Sequence, residues 1–198
     1  MYLQDEITNT LVIERSRFIC YMKHVRSEEE YREYLNEIRK KHYDATHVCS
    51  ALICHNIQRS SDDNEPSGTA GSPILNVLQK NGLDETCALV VRYFGGIKLG
   101  AGGLIRAYGN SVSRCLEKAV FVEDVEYDRY ELVLDYETAN KIDHFLRNHT
   151  NLLDIAYDVD VTYTFAVNDE EALKKISEYT KGRKASYIGK QIIPTVVK

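Results

Sequence analysis

Three carboxylates fall within four residues of the stretch "SSDDNEPSGTAGSP": Asp62, Asp63 and Glu65. Acids grouped in this way have two ordinary uses. They hold Mg²⁺, which takes one or two carboxylates and fills its other positions with water or phosphate. They also turn the chain, because Asp and Asn side chains bond backbone amides close by. An EF-hand is excluded, since Gly68 is misplaced for its turn and no Glu closes the loop. The segment ends in "GTAGSP", where Ser72 reads as a helix N-cap and Pro73 as the first helical residue. Free amides at such an end bind anions, and the hydroxyls of Thr69 and Ser72 on either side of Gly71 supply further donors. An ordinary capped helix is the competing reading.

A second cluster follows in "VVRYFGGIKLGAGGLIRAYGNS" (90–111), which holds six of the eleven glycines. Arg92, Lys98 and Arg106 punctuate it and no acid interrupts it. It is not a P-loop, because Ala101-Gly102 stand where Lys and Ser or Thr belong. Gly95-Gly96 suit a sharp exit from a strand. Gly100, Gly102 and Gly103 leave backbone amides bare, open equally to a phosphate or to another backbone. Gly109 falls inside a helical pattern, where glycine costs about 1 kcal/mol against alanine, and it marks close helix contact. Arg92 ends an otherwise apolar strand, and a buried Arg pairs with a phosphate or a carboxylate, here Asp62 or Asp63. No catalytic residue is singled out: Ser60, Ser61, Ser67 and Ser72 lack a nucleophile-elbow context, and His47 reads as a strand residue with a satisfied ring.

The elements that must carry these residues are legible in outline. "NTLVIERSRFICYMKHV" reads as one or two strands broken near Glu14–Ser16. Ser27 and Glu30 form a capping box for a helix with Tyr31, Tyr34, Leu35 and Ile38 on one stripe. Residues 45–55 read as a strand and 56–72 as a polar loop. A helix begins at Ser72-Pro73 and stops at Asn81-Gly82. Residues 86–94 form a strand buried on both faces, 95–103 a glycine loop. A third helix then places Leu104, Tyr108, Val112, Cys115 and Ala119 on one face. The acidic "FVEDVEYDRY" (121–130) marks a domain boundary, giving domains at 1–124 and 130–198. The second reads strand, helix (about Thr138 to His149), two strands, a helix capped by Asn168, and a last strand in "QIIPTVV". That βαββαβ order is ferredoxin-like.

Net charge is −5, from 25 Lys and Arg against 30 Asp and Glu, so binding to nucleic acid requires a local basic patch. No apolar run reaches the roughly 20 residues of a membrane span, and the N-terminus has no secretory pattern. A soluble, cytoplasmic protein without membrane contact is expected. Five cysteines without a CxxC pair predict buried, reduced thiols and no zinc site.

The run "HVCSALICHN…SDDNEPSGTAGSPIL…VVRYFGGIKLGAGGLIRAYGNSV", with "ERSRFI" (14–19) upstream, resembles the IMPACT/YigZ family. The resemblance covers about residues 1–120 closely, with Asn64 standing where glycine is common. It implies an α+β N-terminal domain of the fold shared by a small-subunit ribosomal protein, domain IV of elongation factor G, ribonuclease PH and the GHMP kinases. The tail from Tyr130 resembles domain V of elongation factor G. The family's eukaryotic members regulate translation with an extra N-terminal module that this chain, beginning at the family core, is not expected to carry. The resemblance therefore implies a non-catalytic regulator of translation that associates with RNA or the ribosome, without a cofactor. Its phosphate site would draw on Thr69, Gly71, Ser72, Arg92, Lys98, Gly100, Gly102, Gly103 and Arg106, with Asp62, Asp63 and Glu65 as an acidic site. Two alternatives stand beside it. One is a Mg²⁺-dependent enzyme acting on a phosphorylated small molecule or nucleotide, and the other is a protein–protein adaptor.

Overall fold

The structure, a computed structural model, describes residues 1–197. It is a mixed α/β chain with two sheets and five helices among the described residues. The chain divides into two compact units, Met1–Glu123 joined by the chain end from Val196, and Asp124–Thr195.

In the first unit β1 (Tyr2–Leu3) is short and pairs with the start of β7 (Phe121–Leu134). The main sheet contains β2 (Ile7–Ile13), β3 (Ser16–His24), β4 (His47–Cys54), β5 (Ile57–Ser61) and β6 (Thr86–Tyr93), in the order β2-β3-β6-β4-β5. β2 and β3 form a hairpin around Glu14 and Arg15, both at positive φ, as a two-residue loop following the strand twist requires. Helix α1 (Glu28–Lys41) starts at Ser27, whose hydroxyl accepts from the Glu30 amide at 3.1 Å. Its first turn is acidic and its last basic, matching the helix dipole.

Side-chain alternation along the strands sorts the core into two layers. From β6, Ala88 and Val90 face α2 (Gly71–Lys80) and α3 (Gly100–Leu116). They pack there with Ile74, Leu78, Leu104, Tyr108 and Val112. Cys87, Leu89 and Val91 face the other way, against Tyr31, Tyr34 and Ile38 of α1. The sheet is thus covered on both sides, which is why β6 is apolar without alternation.

The second unit contains the rest of β7, α4 (Tyr136–His149), β8 (Asn151–Tyr157), β9 (Val161–Ala166), α5 (Glu170–Tyr179) and β10 (Ser186–Val196). Strand order is β10-β7-β9-β8. Leu132, Leu134, Tyr163 and Phe165 from the sheet pack on Ile142, Leu146, Ala172 and Ile176.

Several expectations are corrected. The polar loop at 56–72 contains strand β5, an exposed edge that pairs with β4 from Cys54↔Ile57 to Ser50↔Ser61. Its sequence, IQRSS, shows no apolar alternation because backbone pairing rather than burial holds it. α2 starts at Gly71, and neither Ser72 nor any other local side chain caps it. The glycine loop is shorter than expected, since α3 already begins at Gly100. The acidic stretch 121–130 forms the first part of strand β7, and the two units divide within it, between Glu123 and Asp124. α5 is capped by Asp169, which accepts from the Glu171 amide at 2.9 Å. Asn168 instead bonds the backbone of Asp128 and Glu126.

Two glycines are fixed by proximity. A Cβ on Gly95 would lie 2.1 Å from the Arg15 carbonyl carbon, and one on Gly71 would lie 2.7 Å from the Ser61 amide nitrogen. Backbone cannot yield as a side chain can, so Gly71→Ala must push α2 away from β5. A loss of about 1–2 kcal/mol is expected, in the range of overpacked cores. Chemical denaturation checks it, with Gly82→Asn, at the open positive-φ end of the same helix, as the mild control.

Candidate phosphate-binding site

Arg92 continues the Ala88–Val90 side of β6 and so turns toward α2 and α3. It is 5% exposed. Its Cα partners across the sheet are Phe18 of β3 and His47 of β4. The partner it takes is Glu65, not Asp62 or Asp63: Nη1 donates to Glu65 Oε1 at 2.6 Å. Tyr108 of α3 donates its hydroxyl to the same oxygen at 2.7 Å, and Cys49 Sγ donates to that hydroxyl at 3.3 Å. Burial pushes the Cys49 thiol up to about 12, so it stays a neutral donor. Glu65 Oε2 lies 3.8 Å from His47 Nε2, and His47 Nδ1 meets the Asp63 carbonyl at 2.8 Å. Arg92 Nε is buried and has no hydrogen-bond partner.

The three acids of the loop point three ways. Asp62 accepts from the amides of Gly68, Ala70 and Gly71 at 2.8, 2.9 and 2.8 Å, and so caps α2 from outside the helix. Burial raises its pKa, but those three amides outweigh it and hold the carboxyl below its ordinary value. Asp63 accepts from the Val48 amide at 2.7 Å and from Arg39 at 3.0 Å. Asn64 takes φ +68, the backbone that a glycine would supply. Among the described residues no three His, Cys, Asp or Glu side chains are placed to share a cation.

The α2 end is therefore occupied. The Thr69 hydroxyl donates to the Pro66 carbonyl at 2.6 Å, Gly71 is pressed on Ser61, and Ser72 is exposed. None of the three lines a cavity with the basic residues. The α3 end differs. It has no side-chain cap and no acid in its first turn, and Gly100 starts it at φ +68. A cavity of about 420 Å³ lies against it, lined by Glu65, Arg92, Phe94, Lys98, Gly100 and Ala101 among others. Part of the acidic loop and part of the glycine loop thus line one cavity. Gly103 and Arg106 line a second cavity of about 490 Å³, which also includes Lys98. Gly102 faces neither, and a Cβ there would lie 3.6 Å from Arg106.

Sequence reasoning missed Tyr108 and Phe94. Tyr108 reads as core, and it is fully buried; only its hydroxyl, which must find a partner when buried, signals the network. Phe94 is 45% exposed just after a strand buried at every position but its last, an exposed aromatic beside basic residues.

Comparison with known proteins places the chain. The Impact N-terminal domain matches residues 14–116, which contain every residue of the cavity. The IMPACT family member YvyE of Bacillus subtilis is 46% identical over 180 residues, 87% of this chain and 83% of its own. The IMPACT family member YigZ of Escherichia coli is 37% identical over 139 residues, 68% of each. A crystal structure of a hypothetical protein aligns over 95% of both chains at 29% identity and a TM-score of 0.61. The chain belongs to the IMPACT family.

Proposed function

We propose that the chain is a non-catalytic, RNA-associated regulator of translation that binds phosphate groups in the cavity at the start of α3. One observation carries the reading: a buried arginine with an unpartnered Nε lines the same cavity as the uncapped start of a seventeen-residue helix. Helix amides, the dipole and a fixed guanidinium are the ordinary means of holding phosphate. With a net charge of −5, attraction is local rather than global. The acids that a Mg²⁺-dependent phosphoryl transfer would use are engaged by protein partners, which supports binding over turnover. The βαββαβ order and the β10-β7-β9-β8 sheet support a ferredoxin-like reading of the second unit, and the family resemblance supports RNA in translation as the setting.

The test is a fluorescence titration with ribosomal RNA fragments that carry single-stranded ends, at two salt concentrations. Binding should weaken as salt rises, because phosphate contacts release counterions. Lys98→Ala should weaken binding several-fold across sequences and reduce the salt slope by about one. Absence of binding at low salt, or an unchanged slope in Lys98→Ala, refutes the reading.

A further inference from the structure

We infer that this cavity takes a single nucleoside phosphate, with the phosphate on the α3 amides and the base on Phe94; the inference rests on the phosphate reading above. A cavity of about 420 Å³ lies in the range of small-ligand pockets and is far too small to admit a helical RNA backbone. Its two sides have opposite chemistry. At one side the uncapped amides of α3 and Lys98 supply donors and positive charge. At the other stands the buried Arg92–Glu65 pair, with Arg92 Nε unpartnered and Glu65 Oε2 beyond hydrogen-bond distance of His47. A carboxylate there repels a second phosphate and accepts from hydroxyl or amino groups. Inorganic phosphate satisfies one side only, whereas a ribonucleotide satisfies both. Phe94 completes the set. It is a lining residue, 45% exposed, and the Arg92 guanidinium lies 5.4 Å from its ring centroid. Stacking a base on such a ring contributes about 1–3 kcal/mol and needs no sequence readout.

The experiment is calorimetric titration of the full chain with adenosine 5′-monophosphate, ribose 5-phosphate, adenosine and inorganic phosphate. A 5′-phosphorylated RNA hexamer and its unphosphorylated counterpart complete the set. Adenosine monophosphate or the phosphorylated hexamer should bind at least tenfold more tightly than ribose 5-phosphate, and Phe94→Ala should erase that margin. Ala101→Asp should abolish binding of every phosphate ligand while preserving or raising the melting temperature, because a carboxylate in the first turn favours the helix. A hexamer that outbinds the mononucleotide assigns the site to an RNA terminus; equal binding assigns it to the free nucleotide. Equal affinity for ribose 5-phosphate and both nucleotide ligands, or indifference to Phe94→Ala, overturns the nucleotide inference and leaves phosphate binding standing. Failure of every phosphate ligand, with Ala101→Asp without effect on RNA binding, overturns both.

Discussion

Glu65→Ala is expected to destabilise the first unit by about 3–5 kcal/mol, the usual cost of removing one partner of a buried ion pair. Glu65 is 8% exposed and Arg92 5%, so the remaining guanidinium has little access to water. The loss is compounded at Tyr108, whose buried hydroxyl loses its acceptor on Glu65. Arg92→Met should cost less, because Tyr108 still donates to the carboxylate that remains. The double variant Glu65→Leu/Arg92→Met should recover much of the Glu65→Ala loss, since no charge is left behind. Amide hydrogen exchange in β6 and α3 reads the effect, with the second unit as internal reference. A single-variant loss under about 1 kcal/mol, or a double variant equal to the sum of the singles, contradicts the pair's role. Binding separates from stability in this series: both Arg92 variants should lose phosphate affinity whether or not the fold is restored.

The elements of the first unit were legible where burial has a period. The α1 stripe, the unbroken apolar run of β6 and the α3 face each follow from which sides are covered. β5 was not legible, because an exposed edge strand is held by its neighbour's backbone and leaves no hydrophobic trace. The site was legible in parts. Arg92 stood out as a charge in an apolar strand, but residue types alone cannot say which of three nearby acids turns inward. Asp62 is the farthest of the three in sequence from the helix it caps, and Glu65 three residues on is the one that reaches Arg92. The two glycine-bearing helix starts also looked equivalent. Their difference lies in Asp62, a residue nine positions before Gly71 whose carboxylate folds back onto it.

Asp62→Ala therefore has the second large effect, a loss of about 3 kcal/mol near neutral pH. Three amide donors at Gly68, Ala70 and Gly71 lose a charged acceptor at once, and hydrogen bonds to a charged group are worth about 1.5–3 kcal/mol before non-additivity is counted. The pH dependence carries the sign of a depressed carboxylate. The folded pKa lies below the unfolded value of about 3.9, so the stabilisation is fully present above that value. It is lost as pH falls through the folded pKa. The gap between wild type and Asp62→Asn, measured by urea midpoints, should be constant above about pH 5 and close on acidification. A gap that widens in acid contradicts the assignment. The variant also separates the two helix ends. With Asp62 gone, the α2 amides become an open anion site of the kind that "GTAGSP" suggested. Phosphate or sulfate should then raise the stability of Asp62→Ala more than that of the wild type, by mass action on the vacated end. In the wild type the same anions should act through α3 alone, so Ala101→Asp should abolish their effect there and leave the added effect in Asp62→Ala intact.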